Sequence, residues 1–169
     1  MTEEWTLVTD GACSGNGTED ARGGWAAIID GPEGESVLVG AEAPSTNNRM
    51  ELTGVIEGLR SLPDGARVEL ITDSTYVANA LLKGWLDSWR KRGWKTAGKK
   101  PVANRDLWEA MLVELARVGS VSPTVVKGHA GHPANERADR LAQDAAADLS
   151  LSADAPPPTP GEQLGLGLD

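Results

Sequence analysis

Two short stretches rhyme, Trp5-Thr6-Leu7-Val8-Thr9-Asp10-Gly11 and Glu69-Leu70-Ile71-Thr72-Asp73-Ser74. Each is an apolar, β-branched run of strand length that ends in Thr-Asp and is followed at once by a residue suited to redirect the chain. On parallel neighbouring strands, Asp10 and Asp73 would face each other across about 4.8 Å. Two carboxylates that close repel, so one takes a proton unless a cation lies between them. A hard divalent cation such as Mg²⁺, which prefers oxygen ligands, answers that need. The alternative is that each aspartate merely caps the segment that follows it. The repetition, together with the further acids below, favours the metal.

The surrounding pattern supplies the elements that must position these groups. After Asp10 comes a glycine-rich loop, Gly11 to Gly17, able to approach a ligand closely. Residues 24–29 and 36–41 read as a hairpin joined by the turn Gly31-Pro32-Glu33-Gly34, so the first three strands form an antiparallel meander. From Asn48 the period becomes helical, through Met50, Leu52, Val55, Ile56 and Leu59, with Thr46, Asn47 and Asn48 as N-cap candidates and Pro63 as the stop. Glu51 falls near the start of this helix, where an acid is ordinarily explained by the helix dipole. A strand over 67–72 is followed by a helix over 74–82 that Gly84 ends, and a second helix spans 104–117. The last strand, 124–127, leads through Gly128-His129-Ala130-Gly131-His132 into a helix begun by Pro133 and running to about Leu149. The order implies an α/β fold, a five-stranded mixed sheet (the meander plus parallel strands) flanked by helices. Ligands of such sheets gather at the carboxyl ends of the parallel strands, the edge on which Asp10, Asp73 and the His129 loop fall.

The chain has 169 residues, 40% hydrophobic and 24% charged, which fits one domain with a real core. No run approaches 18 apolar residues, and the N-terminus lacks the basic and apolar regions of a signal peptide, so the expectation is a cytoplasmic protein without a membrane partner. Cys13 is the single cysteine, which excludes an internal disulfide and reads simply as a small residue in a tight loop. With no heptad or exposed stripe, the expected state is a monomer. The net charge of -9 argues at first against nucleic acid. Its distribution reverses the argument, because residues 83–105 hold eight of the 16 lysines and arginines against one acid, Asp87. Trp85, Trp89 and Trp94 interleave those cations and could pack on sugars while the cations meet phosphates, or could pack on the domain beneath a solvated helix.

In order and spacing, Thr9-Asp10-Gly11, Thr46-Asn47-Asn48-Arg49-Met50-Glu51-Leu52, Thr72-Asp73-Ser74, and Lys127-Gly128-His129-Ala130-Gly131-His132-Pro133 with Asn135-Glu136-Arg137-Ala138-Asp139 resemble bacterial type 1 ribonuclease H. That family cuts the RNA strand of RNA·DNA hybrids, in the removal of R-loops and replication primers. The resemblance covers residues 4 to about 149 and implies a ribonuclease H-like fold. Asp10, Glu51, Asp73 and Asp139 match the family's four metal-binding carboxylates, and His129 matches its mobile catalytic histidine, with a solvated loop residue as the alternative at that position. His132, three residues on, is read as helping to begin the helix. Four carboxylates around one point are too negative for a packed core, yet suit two Mg²⁺ ions about 4 Å apart, with Mn²⁺ as a possible substitute. In-line attack of an activated water would then leave a 5′-phosphate and a 3′-hydroxyl.

The resemblance also assigns substrate contacts. Gly11, Cys13, Asn16 and Asn47 match positions that lie in the minor groove against 2′-hydroxyls, and Thr46 and Asn48 match a site for a DNA-strand phosphate. The basic stretch 83–105 matches a protruding helix and loop that grips the DNA strand, with Trp85, Trp89, Lys91, Arg92, Trp94, Lys95, Lys99 and Lys100 as contacts. Two departures stand out. The loop from Ser14 to Gly23 is longer than usual and carries Glu19 and Asp20, and Thr75 stands where relatives often have a longer amide. Other readings are a hybrid-binding module without catalysis and a DNA-cutting relative such as an integrase or junction resolvase, though the Asn47–Glu51 motif and the basic stretch speak against the latter. Beyond the catalytic domain, taken as 1–149, residues 150–169 read as a disordered Pro-rich tail. The tail ends in Gln163-Leu164-Gly165-Leu166-Gly167-Leu168-Asp169, which resembles the short peptides that dock bacterial replication and repair proteins on the sliding clamp, or is an idle end.

Overall fold

β-branched residues concentrate in the runs around Leu7 and Leu70, and these runs form the centre of the sheet. The computed structural model describes residues 4–15, 18–127 and 131–152. Its strands are β1 (Glu4–Ser14), β2 (Arg22–Gly31), β3 (Gly34–Glu42), β4 (Arg67–Thr72) and β5 (Ser120–Val125). They lie side by side in the order β3-β2-β1-β4-β5. The pairs β1/β2 and β2/β3 are antiparallel, and β1/β4 and β4/β5 are parallel, so the expected meander and mixed sheet are both present.

The two faces of the sheet are covered differently. On one, α1 (Asn47–Arg60) and α4 (Arg105–Arg117) enclose the larger core, in which Leu7, Leu52, Leu59, Leu70, Trp108 and Met111 are fully buried. The short helices α2 (Thr75–Leu82) and α3 (Trp85–Lys91) link β4 to that layer. On the other face, α5 (Pro133–Ser152) lies alone over Val8, Ala26 and Ile28, touching them through Ala138 and Ala142. The alanines bring α5 close to the sheet. Gly24 of β2 makes the approach possible, since a Cβ there would lie 2.1 Å from the Ala142 carbonyl oxygen and 2.6 Å from Ala146 N.

Several boundaries differ from expectation, and α5 runs on to Ser152, three residues into the stretch read as tail. β1 does not stop at Asp10 but stays paired with β2 as far as Ser14↔Arg22, so part of the expected glycine loop is strand. Strand β5 begins at Ser120, four residues earlier than its apolar run suggested. It is an edge strand, and Ser120, Ser122 and Thr124 face solvent, so its pairing carries no apolar signature.

Because the Gly24 contacts are with helix backbone, which cannot rotate away, Gly24→Ala is expected to lower stability by about 3 kcal/mol, the upper range for overpacking. Urea denaturation would register this as a lower midpoint at unchanged slope. A loss below about 0.5 kcal/mol, the scale of a neutral surface change, would mean that α5 is not held this close.

Candidate active site

The parallel ladder sets the geometry of the acids. It pairs Val8 with Ile71, and the same register carried two residues further brings Asp10 beside Asp73. Thr72 and Ser74 settle the local chain: the Ser74 amide donates to Thr72 Oγ1 (3.0 Å), and Ser74 Oγ accepts from the Val77 amide (3.2 Å) as the cap of α2. Asp73 therefore stands between the end of β4 and Ser74, the N-cap of α2. Helix α1 is capped by Thr46, whose Oγ1 accepts from the Arg49 amide at 3.1 Å. Glu51 lies one turn inside that helix, beyond the first turn where the dipole would explain it.

Gly11 lets α1 come in. A Cβ on it would lie 2.5 Å from Glu51 N and 2.7 Å from the Met50 carbonyl carbon. One carboxylate oxygen from each of Asp10, Glu51 and Asp73 consequently falls within 4.8 Å of the others. Asp10 is 2% exposed and Glu51 8%. Asp10 Oδ1 accepts from the Gly11 amide at 2.9 Å, whereas Asp10 Oδ2 and Glu51 Oε2 are buried and meet no donor. Burial pushes the Asp10 carboxyl up to about 7, a proton on the neighbouring Glu51 carboxyl and the Gly11 amide opposing the rise while the charges of Asp73 and Asp139 add to it. Burial and the charge of Asp10 likewise hold Glu51 well above the usual carboxylate range. Buried acceptors without donors, held among like charges, are what a hard cation with oxygen ligands fits.

Asp139 lies outside this trio. It stands on α5 across a cavity of about 720 Å³ that is also lined by Gly11, Ala12, Cys13, Asn47 and Gln143. Its Oδ2 accepts from Gln143 Nε2 at 3.0 Å. Gln143 was not legible as a site residue, its one signal being its place four residues after Asp139, on the same helical face. The start of α5 is held as expected, since His132 Nδ1 accepts from the amide of buried Asn135 at 3.2 Å. His129 and Asn16 lie outside the described residues, as does the Gln163–Leu168 peptide.

The remaining predicted contacts separate into groups. Gly11, Cys13 and Asn47 share the cavity beside Asp139. Thr46 spends its hydroxyl on the α1 cap, and Asn48 is exposed. Lys91, Arg92, Lys95, Lys99 and Lys100 are all exposed. Trp85, Trp89 and Trp94 all pack against the larger core instead of standing free, Trp85 and Trp89 with ring centroids 6.1 Å apart and Trp89 edge-on to Trp108 at 5.5 Å. Trp94, at φ 63°, carries the Arg105 guanidinium 5.4 Å above its ring.

The raised Asp10 carboxyl fixes a sign. An unfolded chain releases this proton near 3.8 and the metal-free folded protein near 7, so between those values the native state binds more protons. Stability in EDTA is therefore expected to fall as pH rises from about 4 to about 7. Asp10→Asn should reduce that slope in urea melts, the buried Glu51 carboxyl keeping the remainder, and an unchanged slope would mean that Asp10 ionises normally.

Comparison with known proteins gives the same picture. Residues 2–147 match the family model for RNase H. A Ribonuclease H of Thermus thermophilus is 54% identical over 137 residues, covering 81% of this chain and 80% of the relative. A Ribonuclease HI of Neisseria meningitidis is 49% identical over 150 residues, 89% of this chain and the whole of the relative. Among solved structures, LC9-RNase H1, described as a type 1 RNase H with the type 2 active-site motif, superposes with a TM-score of 0.77 at 26% identity, over all of this chain and 87% of that one. With its carboxylates at the junction of β1, β4 and α1, the chain belongs to the ribonuclease H family, the enzymes that hydrolyse the RNA strand of RNA·DNA hybrids.

Proposed function

We propose that cleavage here depends on divalent cations, Mg²⁺ in the first place, held by Asp10, Glu51, Asp73 and Asp139 beside the scissile phosphate. The observation that carries this reading is the buried pair Asp10 Oδ2 and Glu51 Oε2, two acceptors facing no donor within a group of three carboxylates. Bound there, such cations supply positive charge against the phosphate and lower the pKa of an attacking water. Asp10 and Glu51 are fixed by β1 and α1 and define the position of the phosphorus. Asp139 reaches the same point from α5, with Gln143 orienting its carboxylate. His129 takes or returns a proton as the product leaves. The products are a 5′-phosphate on one fragment and a 3′-hydroxyl on the other.

Recognition is by shape. Gly11, Cys13 and Asn47 line the cavity next to Asp139, where a minor groove carrying 2′-hydroxyls marks the RNA strand. The exposed cations of 83–105 take the phosphates of the DNA strand, and Trp94 adds a planar surface. Trp85 and Trp89 serve chiefly to seat that segment on the domain. The protein works as a monomer, and the tail peptide Gln163–Leu168 tethers it to the sliding clamp.

With a labelled hybrid in Mg²⁺, beside RNA·RNA and DNA·DNA duplexes, only the hybrid's RNA should be cut. Asp73→Asn should reduce the rate by at least about 10³-fold, the scale lost with a group acting on transition-state charge, while the substituted protein still binds hybrid. Tight binding of intact hybrid by the native chain in Mg²⁺ would leave a binding module, and cut DNA would indicate an integrase-like reaction. For the tail, deleting residues 163–169 should abolish retention on immobilised clamp without changing cleavage of a free hybrid. Equal retention would exclude the tether.

A further inference from the structure

Arg49 lies in the first turn of α1, directly after Asn47 and Asn48 and two residues before Glu51. Its guanidinium is shared among groups far apart in sequence. Both amino groups donate to the Asp106 carboxylate, Nη1 to Oδ1 at 3.1 Å and Nη2 to Oδ2 at 2.8 Å. Nη1 also reaches Asn104 Oδ1 at 3.5 Å, and Nε lies 3.7 Å from Glu42 Oε2 at the end of β3. A fork-on-fork contact of this kind fixes angle as well as distance, which a lysine at the same place would not do.

The residues that Arg49 holds are those through which the basic segment rejoins the fold. Asn104 has a left-handed backbone, φ 61°, where the chain turns from that segment into α4. Its Nδ2 donates to the Tyr76 hydroxyl at 3.3 Å, and Trp108 Nε1 donates to the same oxygen at 3.0 Å. Trp89, in the first half of the segment, packs on Trp108. The segment is thus fastened at both ends to one cluster, and Arg49 joins that cluster to the helix that carries Glu51.

As a stabiliser the ion pair is weak, because the Asp106 side chain is 65% exposed and such pairs contribute little. Its geometry matters more for a rigid duplex that spans two patches. The advantage of touching the second patch after the first depends on how firmly their spacing is set.

We propose that Arg49 is a positioning residue that sets the distance and angle between the carboxylate cluster and the basic segment, so that both engage one duplex at once. This rests on the reading that residues 83–105 grip the DNA strand. Arg49 itself touches no substrate.

The test compares two hybrids, one long enough to cover only the carboxylate cluster and one that also reaches the basic segment. Binding is read by fluorescence anisotropy in EDTA, and kcat and KM in Mg²⁺, for the full chain and for Arg49→Met, Arg49→Lys, Asp106→Asn and the Arg49→Met/Asp106→Asn pair. Lys99→Ser/Lys100→Ser reports independently whether the segment grips. In Arg49→Met the affinity advantage of the long hybrid should shrink about tenfold, well within the range that tethering supplies. Affinity for the short hybrid and kcat should stay within about twofold, the pattern of lost binding as opposed to lost chemistry. Arg49→Lys should be intermediate, and the pair no worse than Arg49→Met alone. If Lys99→Ser/Lys100→Ser keeps the full advantage, the gripping role fails and the positioning role with it. If Lys99→Ser/Lys100→Ser loses the advantage while the Arg49 and Asp106 variants keep it, the positioning role alone is overturned. An equal loss for both hybrids in Arg49→Met would also overturn it, as the mark of general structural damage.

Discussion

Like charge held in one place is the constraint on which the rest of this fold depends. Asp10, Glu51 and Asp73 bring three carboxylate oxygens within 4.8 Å, with Asp10 and Glu51 almost fully buried. Nothing local favours that arrangement, since burial and mutual repulsion both oppose ionisation. It persists because each acid is attached to an element whose position is over-determined by apolar packing. β1 and β4 are the central strands, buried through Leu7 and Leu70, and α1 is pinned through Leu52, Val55 and Leu59. The core thereby maintains an electrostatically unfavourable site at the edge where the parallel strands end, leaving acceptors that only a proton or a cation can satisfy.

The two faces of the sheet contribute differently to that site. The larger core holds α1 rigidly and so fixes Glu51. The opposite face is thin: α5 rests on the sheet through alanines, over a glycine with no room for a methyl group. Closeness substitutes there for bulk, and it brings Asp139 to the cavity that Gly11 and Asn47 also line. Glycines at two points, 11 and 24, thus meet the same need, to let a helix backbone approach the sheet closely, which brings Glu51 against Asp10 and Asp73 and places Asp139 on the neighbouring cavity.

What the sequence disclosed follows from which signals are local. β1, β4 and their Thr-Asp ends were legible because each is a β-branched, largely apolar run that stops at an acid, and α1 because its helical period is strong. The place of Asp10 beside Asp73 followed from assuming a parallel pair, which the register bears out. His132 was legible as helping to begin the helix from its place directly before Pro133, and its Nδ1 accepts from the Asn135 amide. Strand β5 was displaced because an edge strand alternates polar residues without an apolar signature. The continuation of β1 past Asp10 was hidden, since Gly11 suggests a turn although it serves the approach of α1. Arg49 was visible only as part of a motif; its partner Asp106 is 57 residues away, a separation that no periodicity encodes. The packing of Trp89 on Trp108 was equally non-local, so interleaved aromatics looked the same whether they faced solvent or the core.

Charge segregation reconciles an acidic chain with a polyanionic substrate. Half of the cations lie between residues 83 and 105, so the rest of the molecule is far more acidic than the net charge of -9 implies. At physiological salt, charges interact over only about 8 Å, so a phosphate near the exposed lysines senses those lysines and little of the acidic body. A phosphate near the carboxylate cluster meets repulsion unless cations fill it. On the proposed assignment of the DNA strand to residues 83–105, attraction and chemistry are located apart, and a duplex held only by the basic segment gains nothing from the acids until a cation is present. That separation gives mechanical meaning to the contacts at the base of the segment. Two patches with opposite effects on a phosphate can act on one substrate only if the protein, and not the substrate, sets the distance between them.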